Sequence, residues 1–294
     1  MINIKQVRIE NIMPEEKSPN GVVIDVLRLD LVHPVISGNK WFKLNRHLEE
    51  AKRLEKQRII TWGGAWSNHI AATAFACHKL GFECQLVIRG ERPAVLSSTL
   101  KYAKGLGAEL IFISREEYSG KIIPSFIETS GLFCIPEGGR SELGVRGAAG
   151  ICDLFDLNAY THLVCVAGTG TMAAGILRRL GQQQELVVIS ILKGYDGMET
   201  EIRQLSGPST ANLQVSQEYH FGGYAKSSEI LFNYMNSLFR QQNIPTDFVY
   251  TGKLFYAVEQ FHAKGKFPEQ SRVMVIHSGG LQGNDSLEKG TLIF

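Results

Sequence analysis

Short apolar runs rich in β-branched residues alternate with longer helical patterns along most of the chain, and no other feature constrains its fold so tightly. RIITW (58–62) precedes the helical stretch SNHIAATAFACHKLG, and CQLVIRG (84–90) precedes one ending near KYAKGLG. AELIFIS (108–114) and LFCIPEGG (132–139) follow, then HLVCVAG (162–168), ELVVISILK (185–193) and RVMVIHSGG (272–280), with helical segments between them. Strand-length runs separated by helices specify parallel βαβ units. Several runs are apolar on both faces, as a sheet covered on both sides requires. The expected fold class is α/β, with two domains of twisted, mostly parallel sheet flanked by helices. At 294 residues, two domains are also the expectation from length. Strand grouping places a small domain at 50–149, inserted into a large one made of 1–49 plus 150–294. KSPNG (17–21) reads as a turn, and ETSG (128–131) and LSGPST (205–210) read as loops.

Composition removes several function classes. Hydrophobic residues make up 44% and charged residues 20%, values of an ordinary globular chain. Lys and Arg total 31 against 29 Asp and Glu, so no concentrated basic stripe marks a nucleic-acid partner. The stretch MINIKQVRIENIMPEEK alternates and soon becomes charged, so no signal peptide is expected. No run approaches the roughly 18 apolar residues of a membrane span. Five cysteines (Cys77, Cys84, Cys134, Cys152, Cys165) form no C-x-x-C pair and are expected as buried free thiols in a reducing cytoplasm. The eight histidines are scattered, so no metal site is expected.

Four strands end in glycine-rich turns: WGGAWSNH (62–69), EGGRSELGVRG (137–147), AGTGTMAAG (167–175) and HSGG (277–280). In open α/β sheets ligands bind beyond the carboxyl ends of strands. Glycines there let backbone N–H groups approach an anion, and a following helix adds its dipole. Four such turns point to one ligand caught at several places. Gly168, Thr169, Gly170 and Thr171 form the turn best suited to phosphate. It nominally satisfies G-x-G-x-x-A, but a dinucleotide site wants an acid after the next strand, which here ends in Lys193–Gly194. A nucleotide P-loop is absent, since Gly252–Lys253 is followed by Leu254.

SGNKWFKLNRHLEEAKRLE (37–55) opens a helix whose apolar face carries Phe42, Leu44, Leu48 and Leu54. Lys40 lies at its start beside Gly38 and Asn39, and Lys43 follows one turn later, so both ammonium groups can face one locus. Burial and a neighbouring cation both lower a lysine pKa, and a neutral amine is what imine chemistry needs.

The motifs SGNK-x-x-KL, GG-x-x-SNH, GTGT, FVYTGK (248–253) and HSGG occur in that order. Together they resemble the pyridoxal-phosphate enzymes of the 1-aminocyclopropane-1-carboxylate deaminase and D-cysteine desulfhydrase family, of the tryptophan-synthase β-type fold, over about residues 20–290. The resemblance implies pyridoxal 5′-phosphate in the interdomain cleft, held covalently by Lys40. It implies Lys43 near the phosphate, Gly168–Thr171 as the phosphate cup, and Asn68 on the pyridoxal 3′-oxygen. Ser67 would lie near the substrate carboxylate, with the backbone of 68 and 69 as further donors. His69 stands where some relatives carry glutamine. Tyr224 and Tyr250 would flank cofactor and substrate. A small amino-acid substrate and a cytoplasmic homodimer are implied as well.

One departure bears on the reaction. By the same resemblance, Thr251 and Ser278 would bind the cofactor: cyclopropane-cleaving members carry, at the place of Thr251, a glutamate that contacts the pyridine nitrogen, and an apolar residue at that of Ser278. Desulfhydrase-like members carry hydroxyl residues there. A hydroxyl leaves the cofactor ring less electron-withdrawing, adequate for α-proton removal and β-elimination. The expectation is a D-cysteine desulfhydrase-like lyase releasing ammonia and a 2-oxo acid, ahead of a cyclopropane deaminase or a racemase or dehydratase of the same fold.

Overall fold

A computed structural model describes residues 4–294; residues 1–3, which open the N-terminal stretch read above, lie outside the described residues. The strands are β1 (Ile9–Met13), β2 (Val23–Arg28), β3 (Arg58–Gly63), β4 (Glu83–Arg89), β5 (Glu109–Ile113), β6 (Leu132–Ile135), β7 (His162–Ala167), β8 (Glu185–Ser190), β9 (Asn212–Ser216) and β10 (Arg272–His277). The helices are α1 (Asn39–Arg53), α2 (Asn68–Leu80), α3 (Ser98–Gly105), α4 (Arg115–Ser119), α5 (Glu142–Ala149), α6 (Thr171–Leu177), α7 (Met198–Ser206), α8 (Glu229–Gln242) and α9 (Thr251–Ala263). The chain thus adopts the expected α/β architecture. One sheet has the order β1-β2-β10-β7-β8-β9 and the other β5-β4-β3-β6. Every pairing is parallel except that of β1 with β2.

Alternation along the strands feeds a core on each face of each sheet. Leu163 and Cys165 of β7 face one core of the larger sheet, and Val164 and Val166 face the other. In the smaller sheet Leu86 and Ile88 of β4 face one core and Val87 the opposite one. Helix α1 serves both sheets: Phe42 enters a core of the larger sheet, while Leu44 and Leu48 enter one of the smaller. The boundary read at 49/50 therefore falls inside a helix. Leu54, expected on its apolar face, lies past its end and is exposed.

Three strands lie outside the sequence reading: β1, β2 and β9. Strand β2 is buried throughout yet carries charge. Asp25 accepts from Asn11 Nδ2 at 2.7 Å and Tyr160 Oη at 2.9 Å. Arg28 pairs with Asp30 and Glu10. The smaller sheet also corrects the thiol expectation. All five cysteines are free, but Cys134 is exposed, because it lies on β6, an edge strand. Among the described residues, no helix is long and apolar enough to cross a membrane, and no cluster of metal-ligating side chains is present.

Candidate active site

The carboxyl ends of strands from both sheets open onto one cavity of about 550 Å³. Lys40, Lys43, Ser67, Asn68, His69, Gly168, Thr169, Gly170, Thr171, Tyr224, Tyr250 and Ser278 all line it; Thr251 does not.

The start of α1 is fixed by a close backbone approach. Gly38 has φ +63°, and a Cβ there would sit 1.7 Å from the Ser278 carbonyl oxygen. The Asn39 N–H donates to that oxygen at 3.0 Å, and the Gly280 N–H donates to Ser37 Oγ at 3.1 Å. Only glycine allows the turn after β10 to lie against the helix start this way. Lys40 follows directly, its Nζ donating to Asn39 Oδ1 at 2.7 Å. Burial pulls the Lys40 amine down to about 8, with Asp247 acting in the opposite sense. Burial, and secondarily Lys40, holds Lys43 well below the usual lysine range.

The β3–α2 turn places three neighbours. Ser67 caps α2, its Oγ accepting the N–H groups of His69 at 3.2 Å and Ile70 at 3.4 Å. The His69 N–H, read above as a donor to substrate, is thus already engaged within the cap. Asn68 Nδ2 donates to the Gly280 carbonyl at 2.9 Å, while its Oδ1 is buried without a partner. His69 is buried, meets Thr61 Oγ1 through Nε2 at 2.8 Å, and has no partner at Nδ1. Burial first, then Lys43 and Lys40, holds its pKa well below the usual histidine value.

The turn after β7 brings the Thr169 and Thr171 hydroxyls within 3.1 Å of each other. Gly170 has φ +70°, turning the chain into α6. Across the cavity, a Cβ on Gly138 would approach Thr169 Cγ2 to 2.9 Å, so glycine there admits the turn.

Asp247 lines the same cavity and escaped the sequence reading. Its carboxylate accepts the N–H groups of Val249, Tyr250 and Thr251 at 3.0, 3.0 and 2.8 Å. The Thr251 hydroxyl donates to it at 2.8 Å and accepts the Asp247 N–H at 2.8 Å. Burial raises the Asp247 pKa, and these bonds oppose the rise. The available signal was an Asp four residues before a Thr at a helix start, a capping pattern. Thr251 is fully buried behind that carboxylate, whereas Ser278 lies on the cavity wall.

Tyr224 stands at the mouth, 47% exposed, its ring edge-on to Tyr250 with centroids 6.2 Å apart. Its loop is held from within by Lys253, whose Nζ donates to the carbonyls of His220 at 2.9 Å and Gly223 at 2.8 Å. Arg89 and Glu137 also line the cavity, and neither was singled out from sequence.

The family profile described as "Pyridoxal-phosphate dependent enzyme" matches residues 20–279. A Thermotoga maritima protein provisionally named 1-aminocyclopropane-1-carboxylate deaminase is 31% identical, the match covering 90% of each chain. An Arabidopsis thaliana protein named bifunctional D-cysteine desulfhydrase/1-aminocyclopropane-1-carboxylate deaminase, mitochondrial, is 26% identical over 90% of this chain and 74% of its own. Among solved structures, one described as an ACC deaminase homologue superposes with a TM-score of 0.80 at 26% identity, covering 95% of this chain and 90% of the other.

Proposed function

The chain belongs to the pyridoxal-phosphate-dependent enzymes, and from that premise we propose that it is a deaminating lyase acting on a small amino acid with a β-leaving group, as D-cysteine desulfhydrases do. The side chains fit the cofactor on three observations. Lys43 Nζ has no hydrogen-bond partner among the described residues, Asn68 Oδ1 is a buried orphan, and Lys43 lines one cavity with Gly138 and with the Gly168–Thr171 turn, where Gly170 has φ +70°. Lys40 would hold the aldehyde carbon through Nζ, Lys43 and the Gly168–Thr171 turn the phosphate, and Asn68 the phenolic oxygen. When bound, the cofactor supplies an electron sink for charge developing at the substrate α-carbon.

The remaining steps fall to the chain's own groups. The Ser67 hydroxyl and the Asn68 N–H at the start of α2 are donors for an α-carboxylate. Lys40 Nζ, with an amine near pH 8, takes the α-proton once freed, and the Tyr250–Tyr224 pair covers that wall. The overall reaction balances as D-cysteine plus water giving pyruvate, ammonia and hydrogen sulfide. Resemblance supports a cytoplasmic homodimer in which residues 50–149 form the smaller domain.

One observation carries β-elimination ahead of ring opening. The two carboxylates on the cavity wall are already engaged, Asp247 by four donors and Glu137 by Tyr118 and Lys121. Ser278, in the turn after β10, offers a neutral hydroxyl to the cavity. Without a charge-assisted bond to the ring nitrogen, the sink weakens by about 1.5–3 kcal/mol, or roughly 10- to 100-fold in a rate that depends on it. Elimination from a substrate with an acidic α-hydrogen tolerates this, and opening a ring that lacks one does not. The test is purified holoenzyme with D-cysteine, β-chloro-D-alanine and 1-aminocyclopropane-1-carboxylate. Pyruvate should form from the first two far faster than 2-oxobutanoate from the third. Faster turnover of the cyclopropane favours the activity in the Thermotoga relative's name, and α-hydrogen exchange without ammonia release favours a racemase.

A further inference from the structure

Arg89 is the last residue of β4, and its side chain lines the cavity. Its guanidinium carries five N–H donors, yet among the described residues it makes no hydrogen bond and no ion pair. Its neighbours are the Tyr118 ring, 5.9 Å from its carbon to the centroid, and Gly64, where a Cβ would stand 3.8 Å from Nη2. This contact lies at the outer limit of a cation–π interaction and uses none of the N–H donors. Glu137, the acid that shares this part of the wall, is satisfied elsewhere: Oε1 accepts the Tyr118 hydroxyl at 2.7 Å and Oε2 meets Lys121 Nζ at 2.6 Å. Lys121 pairs with Glu137, so that carboxylate does not compensate the charge of Arg89. The donors for an α-carboxylate lie at the start of α2, leaving Arg89 for a second anionic group.

We propose that Arg89 is a specificity-determining residue that selects amino acids whose β-leaving group carries a negative charge, such as a sulfonate or sulfate ester. A planar guanidinium with free donors matches such a group in the bidentate manner that lysine does not. Specificity of this kind is a difference in affinity, so the measurement compares two ligands of one shape and different charge. The inference rests on the reading of the cavity as an amino-acid site.

Aspartate and asparagine are nearly isosteric and carry no good leaving group. Each enantiomer is titrated into holoenzyme by calorimetry, with wild type, Arg89→Gln and Arg89→Lys. Wild type should bind aspartate roughly 10- to 100-fold more tightly than asparagine, the range of one charge-assisted hydrogen bond. Arg89→Gln should bring that ratio to about one, and Arg89→Lys should retain part of it. A wild-type ratio near one overturns the proposal. So does an Arg89→Gln variant that weakens both ligands equally, which would place the guanidinium on the α-carboxylate. Pyruvate release by the wild type from each enantiomer of serine O-sulfate, which carries both the charge and a leaving group, is read separately. Its absence, beside an Arg89-dependent aspartate preference, sinks the lyase reading and supports the role of Arg89.

Discussion

Thr61 gives its only hydroxyl proton to the Ile135 carbonyl at 2.7 Å, so across its 2.8 Å contact with His69 it can only accept. His69 is therefore protonated at Nε2 and bare at Nδ1. The buried Nδ1 lone pair then faces a locus held by Lys40 and Lys43.

Nitrogen NMR should show His69 as the neutral Nε2–H tautomer even below about pH 6.5. The sign for stability follows. A histidine whose pKa falls on folding binds fewer protons folded than unfolded, so its contribution is present above about pH 6.5 and lost as pH falls below it. Thr61→Val should leave the Nε2–H unpaired, cost about 1–3 kcal/mol and allow the other tautomer. An unchanged nitrogen spectrum in that variant would contradict the assignment.

Lys40 should be the residue that takes up the cofactor. Its amine, at about 8 because burial disfavours the ammonium form, is nucleophilic only when deprotonated. The rate of cofactor uptake by apoprotein should rise about tenfold per pH unit up to about 8 and then level. Borohydride reduction and peptide mapping should label Lys40, and Lys40→Ala should abolish the near-visible absorption band. Label on Lys43 or Lys253 would reassign the cofactor lysine.

Gly38→Ala should be among the most damaging small changes outside the cavity wall. The new methyl would overlap the Ser278 carbonyl, at a φ of +63° that alanine disfavours. Together these should cost about 3 kcal/mol or more. A thermal melt and cofactor content measure it; a melt within a degree or two of wild type would mean the turn after β10 yields easily.

Lys253→Met should loosen the segment that presents Tyr224. It removes both donors from the His220 and Gly223 carbonyls, a loss of about 1–3 kcal/mol. Phe221 and Ala225 hold positive φ in this segment, a conformation that needs support. Hydrogen exchange should rise in residues 220–226, and kcat should fall more than KM rises. Unaltered exchange there would show that the loop holds itself.

The strands visible in the sequence were those whose apolar runs are continuous. Strand β2 escaped because Asp25 and Arg28 interrupt its run, and their partners come from residues distant in sequence or outside the strand. Strand β9 escaped because it is an edge strand with only one face covered. The cavity was legible where glycine punctuates a strand end, since close backbone approach leaves a mark in the sequence. Arg89, Glu137 and Asp247 leave no such mark. They reach the cavity through the packing of two sheets, and their residue types are as common on a solvated surface as in a site.

Strand β10 lies between β2 and β7, so the larger sheet has its middle strand last in the chain. As a polypeptide leaves the ribosome, β3, β4, β5 and β6 have all emerged by Ile135 and can pair with one another at once. The pair β1–β2 and the trio β7–β8–β9 must wait as separate pieces, each with an open inner edge, until residues 272–277 arrive to join them. Synthesis therefore passes through a long interval in which the smaller sheet is complete and the larger one displays two unpaired strands, the stage at which this chain is most exposed to association with its neighbours.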